Sequence, residues 1–336
     1  MIYRCNQCGF VAEEIHAAAG SKIPCARCQT PSTVYPTVFY VEKVVERYTA
    51  ALRELKALKE LKAPKEKVPS TSSAVSEPPK NLLSLASINI HNTSALATDK
   101  QHEPLKKWFQ QHRITPQFDY ARVDTSGFFD DAACAIGDNY KLFLEIVDDI
   151  CACYRKKENM LNLVVGERSQ KEWQQVHNFC RTLYTHTFFA YFRYQKKGKI
   201  IHLTLQNAPI IQHFFNGEWL EWYVFMAVLR KIQKNPAQFS CTRGMRVVFP
   251  NEDLHEFDVV CLPVGKKPLV IECKTGEFRH DIEKCTKIRK RLGIDKSNFI
   301  ICAPRLSDEQ ACSLSAMYEL SFVNLTMLEG KLAEVL

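Results

Sequence analysis

No apolar run in this sequence reaches the length needed to cross a bilayer, and its start has none of the marks of a signal peptide. A cytoplasmic protein without a membrane partner is therefore expected. A strong excess of charge is missing too. Against 37 Asp and Glu stand 45 Lys and Arg, and the formal +8 is a mild lean towards an anionic partner that does not by itself select nucleic acid. With 46% hydrophobic and 24% charged residues the composition is that of a globular chain, and 336 residues suffice for two or three domains with their own cores. Cysteine, by contrast, is plentiful. Fourteen in a secreted chain would suggest disulfides; without a secretory segment, and with four in metal-ligand spacing, reduced thiols are the better reading.

Those four are Cys5 and Cys8, then Cys25 and Cys28. Each C-x-x-C pair can grip one side of a tetrahedral zinc ion, and the spacing between pairs suits a zinc ribbon over residues 1–38. With thiolates at all four positions no coordination site is left for catalysis, so this Zn2+ is structural, completing a module too small to bury a sufficient core. Redox dithiols are the alternative, but no βαβ pattern surrounds them. Over 39–62, Val41, Val45, Tyr48, Leu52 and Leu55 recur at intervals of four and three, uninterrupted by Gly or Pro. That is an amphipathic helix, which suits a coiled-coil seam for a homodimer as well as a helix lying on its own domain. Residues 63–103 open on a Pro-, Ser- and charge-rich stretch that reads as a flexible linker.

Residues 104–206 read as a second, α+β unit. Short helices, one opened by a capping box at Ser169 and Glu172, precede two strands joined by Gln195-Lys196-Lys197-Gly198. Helices followed by a basic-tipped hairpin suggest a winged-helix-like domain, in which Arg193, Lys196 and Lys197 could track a phosphate backbone. A hairpin with solvated lysines fits the same residues.

Beyond residue 207 the pattern sharpens. Gly217-Glu218-Trp219-Leu220-Glu221 begins a strongly apolar helix, followed by three strands, a helix, a strand, and a further helix and strand. The charges are in unusual places. Glu256 and Asp258 stand in one apolar strand, and Glu272 and Lys274 in the next, where an unpartnered charge is costly. Alternation makes Glu272 and Lys274 co-facial, and Glu256 with Asp258 likewise. Pro263 to Pro268 reads as a turn, so the strands form a hairpin that brings Asp258 towards Glu272 and Lys274. Two carboxylates and a lysine make a cradle for a divalent metal and a phosphate.

This order, with Glu221 on the first helix and Asp258…Glu272-Cys273-Lys274 on the second and third strands, resembles the PD-(D/E)XK, restriction-endonuclease-like nucleases. More narrowly, it is similar to the nuclease half of the CARF-fused nucleases found beside type III CRISPR systems. The resemblance covers roughly Asn216 to Leu336. It implies an α/β fold with a mixed sheet, an αβββαβ nuclease domain over 207–336, and a metal-dependent endonuclease acting on DNA, or on RNA, in defence or mobile-element biology. Asp258, Glu272 and the Cys273 carbonyl would hold Mg2+ or Mn2+, with Glu221 as a direct or water-mediated ligand. Lys274 would position the attacking water and stabilise charge on the phosphoryl group. Lys284 and Arg289 are candidate nucleic-acid contacts, and the nuclease domain is a second candidate homodimer surface. Upstream the sequence departs from that group: a zinc ribbon and linker stand where a nucleotide-sensing Rossmann-like domain is expected. The competing function is a catalytically silent adaptor that binds nucleic acid and keeps the fold.

Overall fold

A computed structural model describes residues 1–5, 10–38, 96–123, 128–233 and 239–336. The chain divides into two compact units, Met1–Ser76 and Glu77–Leu336. In the first, β1 (Ile2–Arg4), β2 (Val11–Glu13), β3 (Lys22–Pro24) and β4 (Pro31–Tyr35) form an antiparallel sheet in the order β2-β1-β4-β3. Among the described residues its buried hydrophobic core is Tyr3, Val34, Cys5 and Cys25. So small a core needs a further tie, and the thiols are placed to give one. The Sγ atoms of Cys5, Cys25 and Cys28 lie within 4.8 Å of one another. The Cys25 amide donates to Thr30 O and the Gln29 amide to Cys25 O, with Gln29 at φ 60°, which folds the second pair into a tight knuckle. Cys8, the helix expected over 39–62 and residues 63–95 of the expected linker lie outside the described residues.

In the second unit, α1 (Asp99–Gln111) begins inside the stretch read as linker, six residues before Leu105, where the sequence reads as entering a short helix. Thr98 caps it by accepting from the Gln101 amide, and Leu96 is buried, so the last residues assigned to the linker, 96–103, are part of the folded unit. Gln101 ties this helix to the sheet: its Nε2 donates to Phe239 O (2.8 Å), and its carbonyl accepts from Ser240 Oγ (2.6 Å).

Then follow β5 (Thr115–Gln117), α2 (Phe129–Asp138), α3 (Tyr140–Lys156), β6 (Met160–Val164), α4 (Gln170–Thr185), β7 (Phe189–Gln195) and β8 (Ile200–Leu205). The expected capping box at Ser169 and Glu172 opens α4. Strands β6, β8 and β7 form an antiparallel sheet in that order, and β7–β8 is the expected hairpin. One helix, α4, stands between β6 and β7, where a helix-turn-helix would put two.

The C-terminal segment runs α5 (Pro209–His213), a π-turn, α6 (Trp219–Gln233), β9 (Phe239–Val248), β10 (Leu254–Pro263), β11 (Leu269–Cys273), α7 (Ile282–Leu292), β12 (Phe299–Cys302), α8 (Asp308–Met317), β13 (Ser321–Val323) and α9 (Leu325–Val335). This is the expected αβββαβ order with its αβ extension, closed by a helix that was not foreseen. The mixed sheet has the order β13-β12-β11-β10-β9-β5, antiparallel from β5 to β11 and parallel from β11 to β13.

Both faces of this sheet are covered. On one, Leu105 and Phe109 of α1 and Ile282, Cys285 and Ile288 of α7 pack over Met245, Val247, Val270 and Ile301. On the other, α6 lies across Val259, Ile271 and Ile300, and the same core continues through α2, α3 and α4 to Leu163 and Ile201 of the smaller sheet. Among the described residues no break in packing falls near residue 206, and β5, from the segment 104–206, is an edge strand of the C-terminal sheet. Helices α2 and α6 approach closely at Gly137, where a Cβ would stand 2.2 Å from the Tyr223 ring.

Candidate active site

The β10–β11 register pairs Val259 with Ile271, so Asp258 falls opposite Glu272, as the hairpin reading required. Alternation does not carry evenly through this point. Phe257 belongs to the core under α1 and α7, whereas Val259 belongs to the core under α6. The neighbouring strand changes face at the same level: Cys241 lies with the α6 side and Met245 with the other, with Gly244 between them at φ 62°. Asp258 therefore sits at a twist in both strands. Its Oδ2 accepts the Cys273 amide at 2.6 Å, which pins the carboxylate across the end of the β10–β11 ladder.

Glu272 is buried at 3% exposure, and both its oxygens are engaged. Buried His255 donates Nε2–H to Oε1 (3.2 Å), and Lys274 Nζ lies 3.4 Å from Oε2. Lys274 also faces Asp281 Oδ2 at 3.7 Å, at the mouth of α7. Burial works to lower the Lys274 pKa, but the charges of Glu272, Asp258 and Asp281 outweigh it and the net shift is upward, so this ammonium stays protonated. Asp258 is pushed well above the ordinary carboxylate range, first by burial and then by the charges of Glu272 and Glu221. A carboxylate in that position is stabilised by any cation placed beside it.

Glu221 projects from the first turn of α6, as expected, but faces a cation the sequence reading missed. Its Oε2 accepts from Arg243 Nη1 at 2.8 Å. Arg243 is buried, donates Nε–H to Arg122 O (2.8 Å) and stacks 4.2 Å over the Trp222 ring. Arg122 in turn reaches Glu218 (3.1 Å) and Glu256 (3.6 Å). Glu256, read as co-facial with Asp258, is held between Arg122 and Arg246. Burial raises the Glu221 pKa, and Arg243 opposes that shift.

The carboxylates of Glu221, Asp258 and Glu272 are thus neighbours without closing on one point. Among the described residues, the only group of three with ligand atoms within 4.8 Å of one another is Cys5, Cys25 and Cys28. An oxygen-only donor set with mutual repulsion at Asp258 fits a hard divalent cation, and a thiol cluster fits zinc.

The other sequence candidates separate. Lys284 is exposed on α7. Arg289 is not free for a phosphate: its side chain is 12% exposed, donates to Ile294 O (3.0 Å) and pairs with Glu319 (3.4 Å). Arg193, Lys196 and Lys197 are exposed on the β7–β8 hairpin.

Residues 210–307 match the model of the Card1-like endonuclease domain. This Card1-like segment runs from α5 past β12 and contains Glu221, Asp258, Glu272 and Lys274, in agreement with the resemblance those residues carry. It assigns an endonuclease domain to the C-terminal part of the chain. Solved structures similar to this chain include protein VC1899 from Vibrio cholerae, 16% identical over 68% of this chain and 60% of that one, with a TM-score of 0.46. Can2 from Sulfobacillus thermosulfidooxidans, in complex with cyclic tetra-adenylate, is 16% identical over 69% of this chain and 60% of its own, with a TM-score of 0.48. The chain therefore spans about 60% of the length of either structure. No curated protein matches it.

Proposed function

We propose that the chain is a divalent-metal-dependent nuclease that hydrolyses phosphodiester bonds of DNA or RNA. The observation that carries this reading is Asp258 set opposite Glu272 with Lys274 on the same face, inside a segment that matches an endonuclease domain. Asp258 and Glu272, with the Cys273 carbonyl, would hold Mg2+ or Mn2+, and Glu221 would supplement them. Such an ion supplies positive charge that polarises the scissile phosphoryl group.

The residues of the chain do the rest. The Cys273 amide fixes one Asp258 oxygen, and the other would be left to meet the ion. His255 orients Glu272 through one oxygen. Lys274, kept protonated by Glu272 and Asp281, donates hydrogen bonds to the attacking water and to the phosphoryl oxygens as negative charge builds on them. Arg243 holds Glu221 beside Asp258 and balances its charge. Cys5, Cys8, Cys25 and Cys28 would hold a structural zinc ion in the first unit. The Card1-like match supports a role in defence.

A second reading is favoured by one observation: Glu221 is taken up by Arg243, and both oxygens of Glu272 already have partners. Such a closed network suits an adaptor that binds nucleic acid without cutting it. A panel of supercoiled, linear and single-stranded DNA and RNA, incubated with Mg2+ or Mn2+, separates the two. Cleavage of at least one form supports the nuclease; binding without cleavage of any supports the adaptor.

A further inference from the structure

The small sheet buries one face and leaves the other open. Leu161, Leu163, Ile201 and Leu203 turn inward and are buried. The register sets the outward residues in rows across the strands: Met160, Thr204 and Tyr191 in one, Asn162, His202 and Arg193 in the next. Met160 is 69% exposed and Tyr191 47%. In the central row the His202 imidazole is hydrogen-bonded to the Asn162 side chain (2.6 Å) and to that of Gln195 (3.0 Å).

The cations at this face lie on its β7–β8 side, while Glu158 and Glu167 are exposed beyond the two ends of β6. From Trp173 to Gly217 the sequence holds no Asp or Glu, while it carries Arg181, Arg193, Lys196, Lys197 and Lys199. None of the three strands contains an acid. Arg193 and the three hairpin lysines are exposed and have no carboxylate partner among the described residues. In a chain with 37 acidic residues, this is the stretch shaped for a polyanion.

We propose that this open face is a platform for single-stranded RNA. An exposed tyrosine ring on a sheet offers a base its stacking partner, and flanking cations meet the phosphates on either side. Both His202 nitrogens are held within the row, which leaves the Asn162 side-chain amide and the Arg193 guanidinium as donors beside that ring, where base edges and 2′-hydroxyls lie. A duplex keeps its base faces stacked inside and would leave Tyr191 unused. An apolar protein partner would have to bury the central polar row, and a second copy docked face to face would bring the cations of two β7–β8 hairpins together. The proposal shares with the nuclease reading only that the partner is a nucleic acid.

The test is fluorescence anisotropy of the full chain with a labelled single-stranded RNA of about twelve nucleotides, without added Mg2+ or Mn2+. Tyr191→Ala should weaken binding roughly tenfold and Tyr191→Phe should restore it. Arg193→Ala with Lys197→Ala should reduce the slope of log K against log salt by about one to two. Unchanged affinity in Tyr191→Ala would overturn the platform, as would equal affinity for double-stranded RNA or for single-stranded DNA. Altered sedimentation with unaltered RNA binding would assign the face to self-association instead. Loss of cleavage with RNA binding intact counts against the nuclease reading alone; cleavage with Tyr191→Ala binding like wild type counts against the platform alone.

Discussion

Replacing Arg243 with Met tests how much of the site is held by charge. The substitution keeps most of the side-chain volume but removes the 2.8 Å bond to Glu221, the 2.8 Å bond to Arg122 O and the contact with Trp222. Breaking one side of a buried ion pair costs about 3–5 kcal/mol, because the partner charge stays behind. The Glu221 side chain is 19% exposed, so water recovers part of its solvation and the lower end applies. We expect about 3 kcal/mol, or a fall in melting temperature of roughly 6–12 °C for a unit of this size. Adding Glu221→Gln removes the stranded carboxylate, so the double variant should lose about 1–2 kcal/mol less than the sum of the singles. Urea unfolding of the four proteins supplies the cycle. Strict additivity would refute the claim that these two side chains act as a pair, and with it the role given to Arg243 in holding Glu221.

His255→Phe should weaken binding of Mn2+ about 10- to 100-fold by titration calorimetry, since it frees Glu272 from its orienting bond; unchanged affinity would mean that His255 only packs. Metal analysis should find zinc in the purified chain and lose it in Cys25→Ser, with unfolding of the small four-stranded sheet. Buried His102, its ring centre 4.7 Å from that of Phe118 and 5.2 Å from that of Tyr120, has its pKa lowered by burial. The unfolded state then takes up a proton at a higher pH than the native state. Stability is full above about pH 6.5 and should decline as pH falls below it towards the lowered native value, a decline that His102→Gln should lessen in urea titrations.

Some of this molecule could be read directly from the residues. The β10–β11 hairpin was legible because the apolar strands are interrupted only by their charges and by a Pro-bounded turn, and the pairing of Asp258 with Glu272 follows from counting back from that turn. The first half of β9 was not legible. Ser240, Thr242 and Arg243 are buried polar residues, and the partners of Ser240 and Arg243, namely Gln101, Arg122 and Glu221, are distant in sequence, so the strand reads as beginning at Arg246. Arg243 carried a usable signal nonetheless: it is a charge inside a strand, the same anomaly that exposed Glu272. The start of α1 was hidden by Pro104, which resembles a first-turn proline although Thr98 provides the cap. The face change at Gly244 and Asp258 depends on two strands twisting together, which an alternation rule applied to one strand at a time does not capture.

The central claim is that Asp258 and Lys274 serve phosphodiester hydrolysis. Its most direct test is divalent-dependent cleavage by the wild-type chain beside Asp258→Ala and Lys274→Ala, on whichever nucleic acid the wild type cuts. Cleavage is expected with Mg2+ or Mn2+, none with chelator, and a loss of at least about a hundredfold in each variant. Equal cleavage by all three proteins would contradict it.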